Sequence, residues 1–494
     1  MMTFDFKNKA EGSLQKIAYG ENDSVLTALK KQGILLDSPC NGMGTCGKCK
    51  VWIAGELKLA CQLKPDSHML VESQSLSSPF HGLKKQTQYF SPESSTAFAI
   101  DIGTTGIEYA WICLKTGQEC MRASSLNQQT EYGADVFSRM AYALKSPSHL
   151  YELKSCIQSQ LEREMLEITG ETYAPTIEKV VISANTVMCH LLLGLDIAPL
   201  SKFPYQPKDL TFDQRQIAWQ KLKDIQTHIM PCASAFIGGD VVGGLTQVPM
   251  EPNENALFID MGTNGEIVLL KENELYATST AAGPALEGMN ISCGIRAIPG
   301  AIYRWDLKKA RPVYKTIGEE KPLGICGSGL LHAISALLKN QMILPSGRYT
   351  QEVGKSFALT SEIQLTQKDI RQVQLAKGAV LSGIELLLKA HELNIEDIKK
   401  LYVAGQLGYH LSEETLKNVG FIPQYFKGEM FFLGNTSLEG AKAFLRDAES
   451  SKALRKMALS IETLDLSTLK DFQDHFVASL HFPLPQSSLD IKEV

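Results

Sequence analysis

Apolar and polar positions change rhythm several times along this chain of 494 residues. It opens on alternation: "TFDFKN" and "LQKIAYG" predict strands, and "ENDSVLTALKKQGI" predicts a short helix that Asp23 or Ser24 can cap and Gly33 can end. "KVWIAGE" alternates again, as a strand that returns the chain toward Cys61. Residues 73–95 lose all periodicity, and seven serines with two prolines in that stretch predict a linker. Beyond it, "AFAIDIGTTGIEYAWICL" reads as an apolar strand ending at Asp101, a glycine-threonine turn and a second strand. The same unit returns 159 residues later as "ALFIDMGTNGEIVLL", with Asp260 in the place of Asp101. A third element, "LYVAGQLGYHL", gives a short apolar strand ending in Gly405, with Gly408 beyond.

Composition narrows the possibilities. With 44% apolar residues the chain can bury several domain cores. Its first thirty residues carry charges throughout, and its longest apolar runs fall far short of a membrane span, so a soluble, cytoplasmic protein is expected. A formal charge of −5 without a clustered Lys/Arg tract argues against nucleic acid and against an anionic membrane surface as partners. Of the eleven cysteines, Cys113, Cys120, Cys156, Cys189, Cys232, Cys293 and Cys326 show no mutual metal-ligand spacing and read as small buried hydrophobes in a reducing compartment.

The other four cysteines are grouped. Cys40, Cys46 and Cys49 stand five and two residues apart in "CNGMGTCGKC", and Cys61 follows in "LKLACQ". Gly42, Gly44 and Gly47 permit positive φ and leave backbone N–H groups free to point at sulfur. A structural zinc site would more usually show two CxxC or CxxH knuckles, and this loop has one, "CGKC". A [2Fe-2S] cluster in a small α+β ferredoxin (β-grasp) domain is favoured over zinc or a chance cluster. Plant-type ferredoxins ligate iron through three close cysteines in a glycine-rich loop and one later cysteine.

The repeated hairpins carry a different chemistry. Each turn offers N–H groups and side-chain hydroxyls to an anion, and the acid at the strand end can hold Mg²⁺ or its water. One copy alone would be an ordinary turn, whereas two copies with the same acid and the same "GTxG" make Asp101, Gly103, Thr104, Thr105, Asp260, Gly262, Thr263 and Asn264 candidate anion and metal contacts. "PCASAFIGGDVVGGL" sets Asp240 beside a glycine-rich helix start, and "GICGSGLLHAISALL" sets Gly327, Ser328 and Gly329 before an apolar helix. Helix N-termini of this kind bind anions, and close helix packing explains the glycines of the second segment equally well. His190 and His332 read as ordinary helix residues rather than metal ligands.

Paired hairpins in a duplicated fold resemble the acetate and sugar kinase, Hsp70 and actin (ASKHA) superfamily, an α/β fold of two lobes. That resemblance implies that the turns grip nucleotide phosphates from opposite sides of a cleft, with Gly405 and Gly408 near adenosine. The cysteine loop is followed in order by "NQQTEYGADVFSRM", "ANTVMCHLLLGLD", "GPALEGMNISCGIRAIPGAI", "ICGSGLL", "VAGQLG" and "GNTSLEGA". In this the chain resembles the reductive activators of corrinoid proteins.

The resemblance implies an ATP-hydrolysing iron-sulfur enzyme that passes one electron to the Co(II) cobalamin of a corrinoid protein or methyltransferase, restoring Co(I). Cys40, Cys46, Cys49 and Cys61 would hold the [2Fe-2S] cluster, and Asp101, Asp240 or Asp260 would position the attacking water. A plant-type centre near roughly −400 mV is a weak donor for a lower-potential acceptor, so ATP would drive the step by changing which conformation is stable. Mg²⁺, a low-potential electron donor and a homodimer complete the expectation. The expected domains are 1–72 (ferredoxin type), 73–95 (linker), 96–250 (first ASKHA lobe) and 251–494 (second lobe, with C-terminal helices returning to the first).

Rival readings are an activator of another low-potential enzyme of the radical dehydratase type, and a small-molecule kinase of the same superfamily with an appended metal module. The first would usually bring paired cysteines in the nucleotide lobe, which the seven scattered ones do not supply. A binding module without catalysis fits less well, because both turns keep their acids.

Overall fold

Alternation at the start of the chain becomes a mixed sheet. The computed structural model describes residues 2–8, 14–32, 34, 36, 49–73, 84–88, 95–251, 254–309, 311–405, 407, 410–446 and 450–484. Strands β1 (Met2–Asn8) and β2 (Leu14–Tyr19) pair antiparallel and turn Phe4, Phe6 and Ile17 inward. Helix α1 (Val25–Lys31) is capped by Ser24, whose Oγ accepts the Thr27 N–H at 3.1 Å. Asp23 instead accepts the Gly20 N–H at 2.8 Å and pairs with Lys31 Nζ at 2.8 Å, and these partners, Lys31 foremost, hold its carboxyl below the usual range. Strands β3 (Lys50–Ile53) and β4 (Glu56–Leu59) turn through Ala54 and Gly55, at φ 50° and 85°, the left-handed pair that a tight hairpin needs. With β5 (Leu70–Ser73) parallel to β1, the sheet order is β2-β1-β5-β3-β4, over a core that includes Val25, Leu29, Val51 and Val71.

The stretch expected as a linker is not free of structure, since Lys84–Gln88 form strand β6, antiparallel to β9 (Glu119–Leu126). "KKQTQ" has no apolar position to betray a strand period; the partner strand supplies the order. Between them in sequence lie β7 (Thr96–Ile102) and β8 (Gly106–Cys113), an antiparallel pair, with β9 on the far side of β8. After α2 (Val136–Ala143) comes the long α3 (Pro147–Tyr173), and then β10 (Ile177–Ala184), beside β7. Glu164 of α3, 1% exposed, accepts from Tyr109 Oη at 2.7 Å, Ser125 Oγ at 2.5 Å and Gln160 Nε2 at 3.0 Å. A buried carboxylate is tolerable with that many donors.

Helix α4 (Thr186–Leu193), strands β11 (Asp213–Arg215) and β12 (Gln226–Ile229) and helix α5 (Gly239–Leu245) lead to a six-stranded sheet. Its antiparallel centre is β13 (Asn255–Met261), β14 (Gly265–Lys271) and β15 (Glu274–Thr280). A small sheet of β16 (Ala301–Lys308), β17 (Arg311–Thr316) and β18 (Gly324–Ile325) precedes α6 (Gly327–Lys339), and a hairpin of β19 (Ser356–Ala358) and β20 (Gln364–Thr366) precedes α7 (Gln367–Ala390). Then follow β21 (Ile398–Ala404), parallel to β13, α8 (Glu413–Val419), β22 (Glu429–Gly434), α9 (Thr436–Arg446), α10 (Ser450–Ser460), β23 (Ile461–Thr463) and α11 (Phe472–Ala478).

Two compact units result. The first holds Met1–Val180, Val187–Lys208 and Gln216–Thr227; the second holds Val181–Thr186, Asp209–Arg215 and His228–Val494. Helix α5 packs in the second unit, where Gly243 and Gly440 let it approach α9 closely: a Cβ on Gly440 would lie 2.3 Å from Gly243 O. In the second unit the segment after α11 is strapped to α7. Gln374 Nε2 donates to Leu480 O at 2.8 Å, Lys377 Nζ donates to His481 O, and the Phe482 N–H donates to Pro345 O at 2.8 Å. Lys377 is 1% exposed, and burial pushes its ammonium down to about 8.

Candidate nucleotide and metal sites

Each repeated unit folds as the hairpin its pattern predicts, with its acid on the rim of a buried strand. Asp101 is the one half-buried residue of β7, and Asp260 and Asn255 are the half-buried residues of β13. The register then supplies a partner that the motif alone does not announce. Asp101 pairs across the ladder with Glu108, and Asp260 with Glu266. Cross-strand partners stand about 5 Å apart at Cβ, so each turn rises above two carboxyls.

In the second unit burial and the charges of Asp240 and Asp260 push the Glu266 carboxyl well above its ordinary range. Ser279 Oγ lies 3.4 Å from Glu266 Oε1. Gly405, at the end of β21, sits against the same acid: its φ is +93°, and an added Cβ would lie 3.0 Å from Asp260 Oδ1. The structure thus brings Asp240, Asp260, Glu266 and Gly405 together in one unit.

The two turns are held differently. In the first, Gly103 O accepts from Asn127 Nδ2 at 2.9 Å, Thr104 O accepts from Arg139 Nη2, and Thr105 O accepts from the Asn127 N–H at 3.0 Å. In the second, the Gly262 N–H closes onto Asn264 O at 3.0 Å, Thr263 Oγ1 donates to Glu287, and Thr280 Oγ1 donates to Gly265 O at 3.1 Å. Glu287 ends a short turn, Pro284–Glu287, in a loop that α7 pins: Asp369, whose carboxylate also closes the capping box of α7, accepts the Ser292 N–H at 2.6 Å and Ser292 Oγ at 2.5 Å.

Other expected residues resolve into packing. A Cβ on Gly327 would meet Leu286 O at 1.8 Å and one on Gly329 would meet Ile302 O at 2.1 Å, so close backbone approach accounts for both glycines. Ser328 is 3% exposed and lies 3.4 Å from Cys326 Sγ. His190 is fully buried and takes the Lys208 N–H at 3.1 Å; His332 joins His410 O at 2.8 Å and Thr415 Oγ1 at 3.2 Å. Five of the seven scattered cysteines are buried, and Cys156 and Cys293 are half-buried.

Of the four grouped cysteines, Cys40 and Cys46 lie outside the described residues, as does Gly408. The remaining two sit together at the open end of the β3–β4 hairpin, where the Ala60 N–H donates to Cys49 O at 2.7 Å and Lys50 pairs with Leu59. Cys49 is 1% exposed and Cys61 half-buried, both packed on the small domain's core. Two thiols at one sheet end fit half of a four-thiolate set; among the described residues no three Cys, His, Asp or Glu side chains converge as a metal site. Among the described residues, too, no helix is long and apolar enough to cross a membrane.

Sequence reasoning missed Glu108, Glu266, Glu287, Asn127 and Arg139. The first two were within reach, since counting outward from each turn puts an acid opposite an acid. The other three lie within the quoted segments "NQQTEYGADVFSRM" and "GPALEGMNISCGIRAIPGAI", where nothing local singles out the side chain that holds a turn.

This arrangement has known counterparts. A solved structure of a "Reductive activator for corrinoid,iron-sulfur protein" matches with a TM-score of 0.73 at 24% identity, over 98% of this chain and 99% of that one, so the two share a fold. The family described as the C-terminal domain of RACo, the ASKHA domain, matches residues 254–491, and the RACo middle region matches 96–253. The second unit therefore carries an ASKHA-type domain, and the chain belongs to the RACo family, the reductive activators of corrinoid proteins. Two relatives are the "Corrinoid activation enzyme RamQ" of Eubacterium limosum, 28% identical over 78% of this chain and 70% of its own length, and the "[Co(II) methylated amine-specific corrinoid protein] reductase" of Methanosarcina barkeri, 24% identical over 78% and 76%.

Proposed function

We propose that this chain is an ATP-dependent reductive activator that passes one electron from a [2Fe-2S] cluster to the Co(II) cobalamin of a corrinoid protein, restoring Co(I). The observation that carries the reading is the duplicated hairpin, a strand-end Asp facing a Glu beneath a glycine-threonine turn, in a chain of this family. The names of the relatives, a corrinoid activation enzyme and a Co(II) corrinoid protein reductase, support the same substrate class.

In this reading the N–H groups and hydroxyls of residues 103–105 and 262–264 contact phosphates. Asp101, Asp240 and Asp260 orient Mg²⁺ or the attacking water, and Gly405 and Gly408 lie near adenosine. Gly327 and Ser328, at the start of α6, belong to the same proposed contact set, with Gly327 packed close to Leu286 O and Ser328 buried. Burial and the charges of Asp240 and Asp260 favour the neutral form of Glu266, which would spare the site a further negative charge.

The five-stranded sheet with α1 beside it supports a β-grasp ferredoxin domain over residues 1–72. Cys49 and Cys61, with Cys40 and Cys46, would hold the cluster, and when bound it supplies a one-electron donor of the low potential typical of plant-type centres. Nucleotide binding and cleavage then shift which state of the complex with the corrinoid protein is stable. We further propose a cytoplasmic homodimer served by a low-potential electron donor.

The test mixes the reduced protein with a co-encoded corrinoid protein in the Co(II) state and follows the Co(I) absorption band with and without Mg-ATP. An ATP-dependent band is expected, and its absence with every such corrinoid protein would reject the reading. Cys46→Ser should lose reduction and keep nucleotide binding; Asp260→Ala should keep the cluster's spectrum and lose ATP cleavage. Zinc, or no electron spin resonance signal after dithionite reduction, would sink the ferredoxin part alone.

A further inference from the structure

We infer that Asn127 and Arg139 are positioning residues for the first phosphate turn, setting its peptide planes from behind so that its N–H groups face the anion. The inference rests on the nucleotide reading above and adds two residues that make no contact with the nucleotide themselves. Three successive carbonyls of the turn are tied to these two side chains and one backbone N–H: Gly103 O to Asn127 Nδ2 at 2.9 Å, Thr104 O to Arg139 Nη2, and Thr105 O to the Asn127 N–H at 3.0 Å.

A trans peptide is planar, with its C=O and N–H pointing in opposite directions. Fixing those three carbonyls therefore directs the N–H groups of Thr104, Thr105 and Gly106 away from Asn127 and Arg139. Successive N–H groups turned the same way form an anion-binding concavity.

Both anchors are themselves fixed. Asn127 is fully buried and uses its remaining groups as well: Oδ1 accepts the Gln129 N–H at 3.0 Å, and its carbonyl accepts the Thr130 N–H at 3.0 Å and Thr130 Oγ1 at 2.8 Å. Arg139 is also fully buried, with Nε on Gly133 O at 2.9 Å and Nη1 beside Met188 Sδ at 3.3 Å. Gly133 has to be glycine for this geometry, because a Cβ there would lie 2.8 Å from the Arg139 backbone nitrogen. A buried guanidinium is a desolvated positive charge, so besides orienting the Thr104 carbonyl it favours an anion on the other face of the turn. The segment "NQQTEYGADVFSRM", which begins at Asn127 and ends one residue after Arg139, thereby acquires a physical role.

The experiment measures Kd for Mg-ATP and for adenosine on the full-length protein and its Arg139→Met, Arg139→Lys and Asn127→Asp variants. Circular dichroism checks that each is folded. Asn127→Asp keeps the Gln129 cap while setting an acceptor against Gly103 O, so it carries the test alone if Arg139→Met does not fold.

Losing a hydrogen bond to a charged group should weaken Mg-ATP about tenfold or more in Arg139→Met, with adenosine within about twofold of the parent. Arg139→Lys should recover part of the loss. Folded variants that bind Mg-ATP as the parent does would overturn the inference, and so would equal losses for adenosine and Mg-ATP, the mark of a merely structural role. A parent protein that binds no Mg-ATP would reject the nucleotide reading and the inference with it.

Discussion

The two glycine-threonine hairpins share a motif and differ in what stands behind it. The first turn spans Gly103 to Gly106 between paired residues Ile102 and Ile107; the second is a residue shorter, Gly262 to Asn264 between Met261 and Gly265. The longer turn is held by side chains from a separate segment, the shorter one by its own Gly262 to Asn264 bond and by Thr263 on Glu287. Repetition therefore extends to the turn residues and their strand-end acids and stops at the groups that hold the turns. A duplicated motif can keep its chemistry while each copy is stiffened by whatever its own unit provides.

The largest expected effect lies in the acids. Asp260→Asn should lower kcat for ATP hydrolysis by about 10²–10³, a loss typical of removing one key electrostatic group, and Asp101→Asn should lower it less. Asp260 shares its surroundings with Asp240 and with Glu266, whose carboxyl is pushed up by burial and by these two charges. Steady-state kinetics of both variants decide the matter, and equal losses would make the hairpins equivalent in catalysis.

The turns themselves give a smaller contrast. A Cβ on Gly103 would meet Gly106 O at 2.9 Å, whereas one on Gly262 would come no closer than 3.6 Å to Asn264 O. Gly103→Ala should cost about 1–3 kcal/mol in urea unfolding and weaken Mg-ATP, while Gly262→Ala should stay within about 0.5 kcal/mol of the parent. Similar behaviour of the two would erase the distinction between a braced turn and a self-closed one.

Smallest is the effect of the proton on Glu266. Its folded carboxyl titrates above the unfolded value of about 4.3, so between the two the native chain holds a proton that the unfolded chain has released. Stability from this group is full below the unfolded value and is lost as pH rises toward the folded one. Glu266→Gln does not titrate, so without nucleotide it should melt level with the parent near pH 4.5 and about 3 °C higher at pH 8. Thermal melts at the two pH values check this, and a gain that is the same at both would show that the charge is not the cause.

How much of this could be read beforehand follows from what sequence patterns encode. Both hairpins, the helix capped at Ser24 and the Cys49 to Cys61 return were legible because local period and turn chemistry set them. Asn127 and Arg139 were not, because they act across 24 and 35 positions and an amide or guanidinium looks the same whether it faces water or a carbonyl. Gly327 and Gly329 left two readings open for a related reason: a glycine before a helix serves an anion or a neighbouring backbone, and the 1.8 Å and 2.1 Å Cβ approaches show that the backbone at least is close. Strand β6 was hidden by a polar sequence that gains its order from β9.

The strap on α7 has a consequence for synthesis. Gln374 and Lys377 are made about a hundred residues before their acceptors, Leu480 O and His481 O. While a nascent chain emerges, α7 can pack its apolar face but must leave a buried amide and a buried ammonium without these partners. The second unit is thus completed only when α11 and the segment 479–482 have cleared the ribosome. A chain cut before Ser479 would carry that debt permanently, and quality-control proteases would meet it as an unfinished fold.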